Sequence, residues 1–139
     1  MAVSHQPIFV QTPKQGIAAF VNADGTTKKT IATGGTNGSK VTAVTAARTD
    51  SAARVVTLWL TRSATSYALT AASVAITSGT DGTTPGTNLF GSTLWPGLSV
   101  DGSGQRYLFL QSGDTLQASM VVAVTAAKEI DVTATYADY

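Results

Sequence analysis

From Arg54 to Arg62 the apolar positions recur at every second residue. Val56, Leu58 and Leu60 share one face, and Val55, Thr57, Trp59 and Thr61 share the other. The same period of two runs through Thr115–Val124, where Leu116, Ala118, Met120, Val122 and Val124 lie on one side. It returns in Glu129–Tyr139, with Ile130, Val132, Ala134 and Tyr136 on one side and Asp131, Thr133 and Thr135 on the other. Side chains alternate across a strand, so this pattern predicts strands with a core face and a wetter face. Gly16–Asn22, Thr26–Thr33, Ser39–Thr49, Ser66–Ile76 and Tyr107–Gln111 read as further strands with weaker patterning. Val41–Arg48 holds enough Ala for a helix, but its Val and Thr residues favour a strand through their stiff χ1 angles.

Turn chemistry separates these segments. Asn22-Ala23-Asp24-Gly25, Gly34-Gly35-Thr36-Asn37-Gly38, Thr49-Asp50-Ser51, Thr80-Asp81-Gly82, Val100-Asp101-Gly102 and Ser112-Gly113-Asp114 supply Gly for positive φ and Asp or Asn for side-chain turns. About eight strands with such turns predict an all-β fold, an antiparallel β-sandwich of jelly-roll type or an up-and-down barrel. Two stretches fall outside the pattern. Residues 1–15 contain Pro7 and Pro13 and read as an extended N-terminal arm, leaving 16–139 as a single β domain. Residues 77–106 form a long Gly/Ser/Thr/Pro stretch broken by Leu89-Phe90 and Leu94-Trp95-Pro96, which predicts a loop that packs its apolar residues onto something.

Composition narrows the class. Thr, Ala, Gly and Ser make up about half of the 139 residues and charged residues only 12%, against ~25% in an ordinary domain. A charged helical bundle or coiled coil is thereby excluded, and a formal charge of +1 argues against disorder by charge repulsion. The densest basic run is Lys28-Lys29, so no basic stripe for nucleic acid is present. No apolar run approaches the ~20 residues of a spanning helix, so no membrane partner is expected. Cysteine is absent, which removes disulfides and thiolate metal sites. The N-terminus has neither a basic nor an apolar leader region, and the expectation is a protein made and used without Sec export.

Reactive constellations are sparse. The one histidine, His5, falls in the arm, and no Gly-x-Ser-x-Gly elbow exists for it to serve. Asp24, Asp50, Asp81, Asp101 and Asp114 all sit in turn contexts, where a carboxylate accepts from nearby backbone amides. Glu129 and Asp131 share one side of a strand and read as a solvated rim rather than a glycosidase pair. Asp101-Gly102-Ser103-Gly104 offers one carboxylate, too few for calcium. Gly102-Ser103-Gly104-Gln105-Arg106-Tyr107 lacks the last glycine of a dinucleotide loop. No catalytic residue, metal or cofactor is expected. Trp59, Tyr67, Trp95, Tyr107, Tyr136 and Tyr139 suit either packing or a sugar-stacking platform.

Several short motifs in a fixed order carry a family resemblance. They are Ala23-Asp24-Gly25-Thr26, Lys29-Thr30, Gly34, Asn37-Gly38-Ser39-Lys40-Val41 and Thr49-Asp50. Pro96-Gly97-Leu98 with Asp101, Tyr107-Leu108, Gly113-Asp114-Thr115-Leu116, Ile130-Asp131-Val132 and a closing Asp138-Tyr139 follow. Over about Gly16 to Tyr139 the chain resembles small phage virion proteins encoded with capsid genes, of the head cement (decoration) type. The resemblance implies a jelly-roll fold and a structural role on the capsid exterior, bridging neighbouring major capsid proteins, with the chain as a dimer or trimer. No catalytic residue comes with it. Related expectations are another virion component, such as a head-fibre base or tail protein, and a carbohydrate-binding β-sandwich. The apolar residues outside the strand pattern mark the expected interface: His5, Pro7 and Phe9 in the arm, Leu89, Phe90 and Trp95 in the long loop, and Trp59 on the outer side of its strand.

Overall fold

A computed structural model describes residues 9–139; His5 and Pro7 lie outside the described residues. The chain forms an antiparallel β-sandwich. Its strands are β1 (Thr12–Val21), β2 (Lys29–Thr33), β3 (Ser39–Arg48), β4 (Arg54–Arg62) and β5 (Thr65–Val74), followed by β6 (Thr87–Asn88), β7 (Ser99–Val100), β8 (Arg106–Leu110), β9 (Thr115–Met120) and β10 (Glu129–Asp138). One sheet has the order β1-β10-β3-β8-β7, with β6 also paired to β3, and the other has the order β2-β9-β4-β5. The long pairings are nested: β1 with β10, β2 with β9, β3 with β8 and β4 with β5. A chain folded as one long hairpin and then wrapped across two sheets gives this order.

The core lies where the period of two places it. Val56 and Leu58 of β4, Leu116, Ala118 and Met120 of β9, and Ile130, Val132 and Ala134 of β10 are buried, with Leu60 and Tyr136 packed at the margin. Phe20, Ile31, Val41, Val44 and Leu110 fill the space between the sheets. Most of these side chains are aliphatic, and each contributes roughly 1.5–3 kcal/mol when fully buried.

Three boundaries differ from expectation. β1 begins at Thr12, because Thr12–Gln15 pair with Asp138–Thr135, so residues 12–15, expected in the arm, belong to the sheet. β9 stops at Met120. Val121 still donates its amide to the Val55 carbonyl, but Val122 is exposed and Val124 turns back into the core. The stretch 77–106 is less irregular than its composition suggests, since it contributes β6 and β7 to the edges of β3 and β8.

The β4–β5 hairpin turns through Ser63 and Ala64, both at positive φ (49° and 65°). That geometry is a two-residue turn of the primed kind, which favours Asn-Gly, whereas an L side chain there costs about 1 kcal/mol or more. Replacing both residues (Ser63→Asn with Ala64→Gly) is expected to raise the melting temperature by a few degrees, readable by circular dichroism. A lower melting temperature would contradict the assigned turn.

Candidate contact surface

Among the residues expected at an interface, the structure divides the described ones into three groups. Phe9 is 71% exposed, and the strand after it runs beside the chain end, with the Gln11 amide donating to the Asp138 carbonyl. Leu89 and Phe90 are buried at 0% and 3% exposure, a correction to their expected place on the surface. The pairing of β6 with β3 continues into a bond from the Leu89 amide to the Val44 carbonyl, and Asn88 Oδ1 accepts from the Phe90 amide. These contacts draw both side chains inward as part of the core. Trp95 is half-buried against that core and meets Phe90 edge-on, ring centroids 5.7 Å apart.

Trp59 does face outward from β4, as the alternation requires. Its indole Nε1 donates to Ser119 Oγ at 2.9 Å, and the Lys28 ammonium sits 4.0 Å from the ring centroid. The neighbouring side chains form a chain across all four strands of this sheet. Gln117 Nε2 of β9 donates to Thr30 Oγ1 of β2, Thr61 Oγ1 of β4 donates to Gln117 Oε1, and Thr61 bonds Ser66 of β5. Hydrogen-bonded side chains thus link the strands across this outer face. Both indoles make contacts within the chain. The outer face of the other sheet is built from small side chains. Its rows include Ile17–Thr133–Thr45, Ala19–Asp131–Ala47 and Gln15–Thr135–Ala43. Methyl and hydroxyl groups dominate, and Ile17 is 64% exposed.

The turn aspartates serve the fold. Asp81 accepts from the Thr84 and Thr83 amides, and Asp101 from Lys40 and from the Ser103 and Gln105 amides. These bonds hold both carboxyls well below the usual carboxylate range. Among the described residues five ion pairs all use an aspartate: Lys14–Asp138, Lys29–Asp24, Lys40–Asp101, Arg54–Asp50 and Arg62–Asp114. At the end of the sandwich where β4 finishes, Arg62 grips Asp114 through two nitrogens and Asp114 also takes the Gln111 amide. At the opposite end Asp50 is fully buried. Burial alone pushes its carboxyl up, but Arg54 Nε at 2.8 Å and the Thr125 and Ala52 amides at 3.0 and 3.1 Å outweigh it, and the net shift is strongly downward. Sequence reasoning placed Asp24, Asp50, Asp101 and Asp114 in turns but gave no sign of their cationic partners; Lys40 and Arg62 come from distant strands, whereas Lys29 and Arg54 lie five and four residues away.

Lowered carboxyls in the folded state set the acid response. Their stabilisation is fully present above the unfolded value near ~3.9 and is lost as pH falls through the folded values below it. Glu129 has the opposite sign, since the adjacent Asp131 charge raises it, but it is exposed on the surface. Thermal melts are expected to be flat from pH 6 to 8 and to fall steeply below about pH 4. A midpoint that declines between pH 8 and 6 would contradict this.

Two open grooves mark the surface. One, of about 370 Å³, is lined by residues including Thr42, Thr45, Asn88, Gln105 and Arg106; the other, of about 470 Å³, by Asn22, Thr49, Lys128 and Glu129 among others. Among the described residues no cluster of three or more His, Cys, Asp or Glu residues could hold a metal ion. No helix among them is long and apolar enough to cross a membrane. Comparison with family models, with curated proteins and with solved structures finds no match to this chain.

Proposed function

We propose that the chain is a non-enzymatic structural protein of a phage virion, which binds the outside of the capsid shell and cements neighbouring major capsid proteins as a homo-oligomer. The observation that carries this reading is the character of the two outer faces. They are dominated by Thr, Ala and Ser side chains with few charges, and six of the eight carboxylates are committed to turns and ion pairs. Faces of small, weakly charged side chains suit a partner that is itself a repeated surface, where modest contacts sum through avidity. The ordered motifs that resemble cement proteins point the same way, and their aspartates Asp24, Asp50, Asp101, Asp114 and Asp138 are the ones that lock the sandwich. The nested pairing of the strands supports a jelly roll as the scaffold.

Co-sedimentation with shells of the major capsid protein from the same phage tests the reading. The native chain is expected to pellet with the shells and to saturate at a lattice stoichiometry. A lysine at Ile17 or at Thr45 tests one outer face and a lysine at Thr61 the other, and the capsid-bound face is the one whose charge abolishes pelleting. Deleting residues 2–8 spares β1 and is expected to weaken binding if the arm contributes. A native chain that stays in the supernatant at every concentration would overturn the proposal.

A further inference from the structure

Among the described residues the outermost strands of the two sheets are β1, β7, β2 and β5, and the two-residue β6 pairs with β3 alone. Exposed edges present unpaired amides and carbonyls, and proteins usually blunt them. Three are blunted here. β1 carries Pro13 and Lys14 and presses against β2 so closely that a Cβ at Gly16 would lie 1.7 Å from the Ile31 carbonyl oxygen. β2 is five residues long, with Lys29 and a bulge between Thr30 and Ala32. β7 has two residues.

The fourth edge is different. β5 is ten residues long, Thr65–Val74, and contains no charged residue, proline or glycine. That length corresponds to about 33 Å of strand. Its backbone pairs with β4 on one side, and no backbone hydrogen bond to any other described residue is made from it. The nearby loop touches it through a side chain, Thr70 Oγ1 donating to the Leu94 carbonyl. Leu69 bulges out of register with β4, so the regular part of the edge is Thr70–Val74. Ile76, just beyond it, is 51% exposed.

We propose that a second copy of this chain pairs here, β5 against β5, antiparallel about a two-fold axis near Ala72. An identical antiparallel strand completes its own hydrogen-bond ladder by symmetry, because each copy offers the same donors and acceptors to the other. Charge favours the self-pairing as well: with no ionised side chain from Thr65 to Val74, no like charges meet across the axis. The register places Ala71 of one copy opposite Ser73 of the other, small side chains that allow close approach. The two four-stranded sheets become one continuous sheet of eight strands. This pairing concerns the free protein and does not rest on the capsid reading.

Sedimentation velocity of the full chain in the absence of capsid tests it. The native chain is expected to be a dimer at micromolar concentration. The double substitution Ala71→Lys with Ser73→Lys sets lysines against lysines across the axis and is expected to give monomer. Both side chains are exposed, so the variant's circular dichroism and melting should match the native chain's. The pair Ala71→Thr with Ser73→Thr, which adds no charge, should remain a dimer. Because the native chain has no cysteine, Ala71→Cys with Ser73→Cys should form inter-chain disulfides on mild oxidation. A monomeric native chain, or a dimer that persists in a folded double-lysine variant, would overturn the proposal.

Discussion

Asp50→Ala is expected to destabilise the chain by about 3–5 kcal/mol, the range for breaking a buried, hydrogen-bonded charge pair. Three donors converge on this carboxylate: Arg54 Nε and the amides of Thr125 and Ala52. It also faces Arg48, whose side chain is buried and whose Nε, Nη1 and Nη2 find no hydrogen-bond partner among the described residues. Burial lowers the Arg48 guanidinium's affinity for its proton, and the Asp50 charge partly offsets this. Removing Asp50 leaves a buried cation without its counter-charge, so the loss exceeds that of an ordinary turn aspartate. A drop in melting temperature on the order of 10 °C is the expected reading. Replacing the cation as well separates the terms. Arg48→Met alone is expected to be neutral or stabilising by about 1–4 kcal/mol, since a buried charge gives way to an apolar side chain. In the Asp50→Ala background it should recover part of the loss. An Asp50→Ala chain that melts like the native one would show that the cluster does not hold this end of the sandwich together.

Gly16→Ala is the second large effect. Gly16 lies in β1 opposite Ala134, and the space its Cβ would need is occupied by the backbone of Ile31, with the carbonyl oxygen at 1.7 Å and the carbonyl carbon at 2.7 Å. Backbone cannot swing aside as a side chain can, so one methyl group must push β1 away from β2. Overpacking of this kind costs roughly 1–3 kcal/mol and more where the obstacle is rigid. The strain is steric and not conformational, because Gly16 is not among the glycines at positive φ. Gly82 is the control: nothing lies within 4 Å of its added Cβ, although its φ of +77° brings a separate, smaller penalty. Denaturant melts should place Gly16→Ala well below Gly82→Ala in stability. Equal stabilities would mean that the two sheets do not close against each other at this edge.

The legibility of the fold in the sequence follows from its period. Val56/Leu58, Leu116/Ala118/Met120 and Ile130/Val132/Ala134 are buried because small and β-branched residues alternate cleanly with Thr and Asp. Every expected strand has an observed counterpart, but the ends shifted where tertiary pairing overrode local composition. Thr12–Gln15 looked like an arm because of Pro13, and Asp138–Thr135 recruit it as an edge strand, where proline is tolerated. The turn at Ser63–Ala64 carried no Gly or Asn signal, so its positive φ values were invisible beforehand. Leu89 and Phe90 were misplaced for a related reason. A loop composition says nothing of two residues of strand, Thr87–Asn88, that anchor it to β3 and fold it over the core. The contact surface was the least legible part. Faces of Thr and Ala have no motif, and the Lys28–Trp59 contact and the Gln117–Thr61–Ser66 chain join residues that only the strand register brings together.

The central claim, a structural protein that covers a capsid shell, is tested most directly by counting. Quantitative mass spectrometry of gradient-purified particles of the phage encoding the chain gives its copy number against the major capsid protein. The account predicts a ratio near one to one, or a simple fraction set by the symmetry of the lattice. Absence of the chain from the particle, or a handful of copies confined to a vertex or tail, would contradict it.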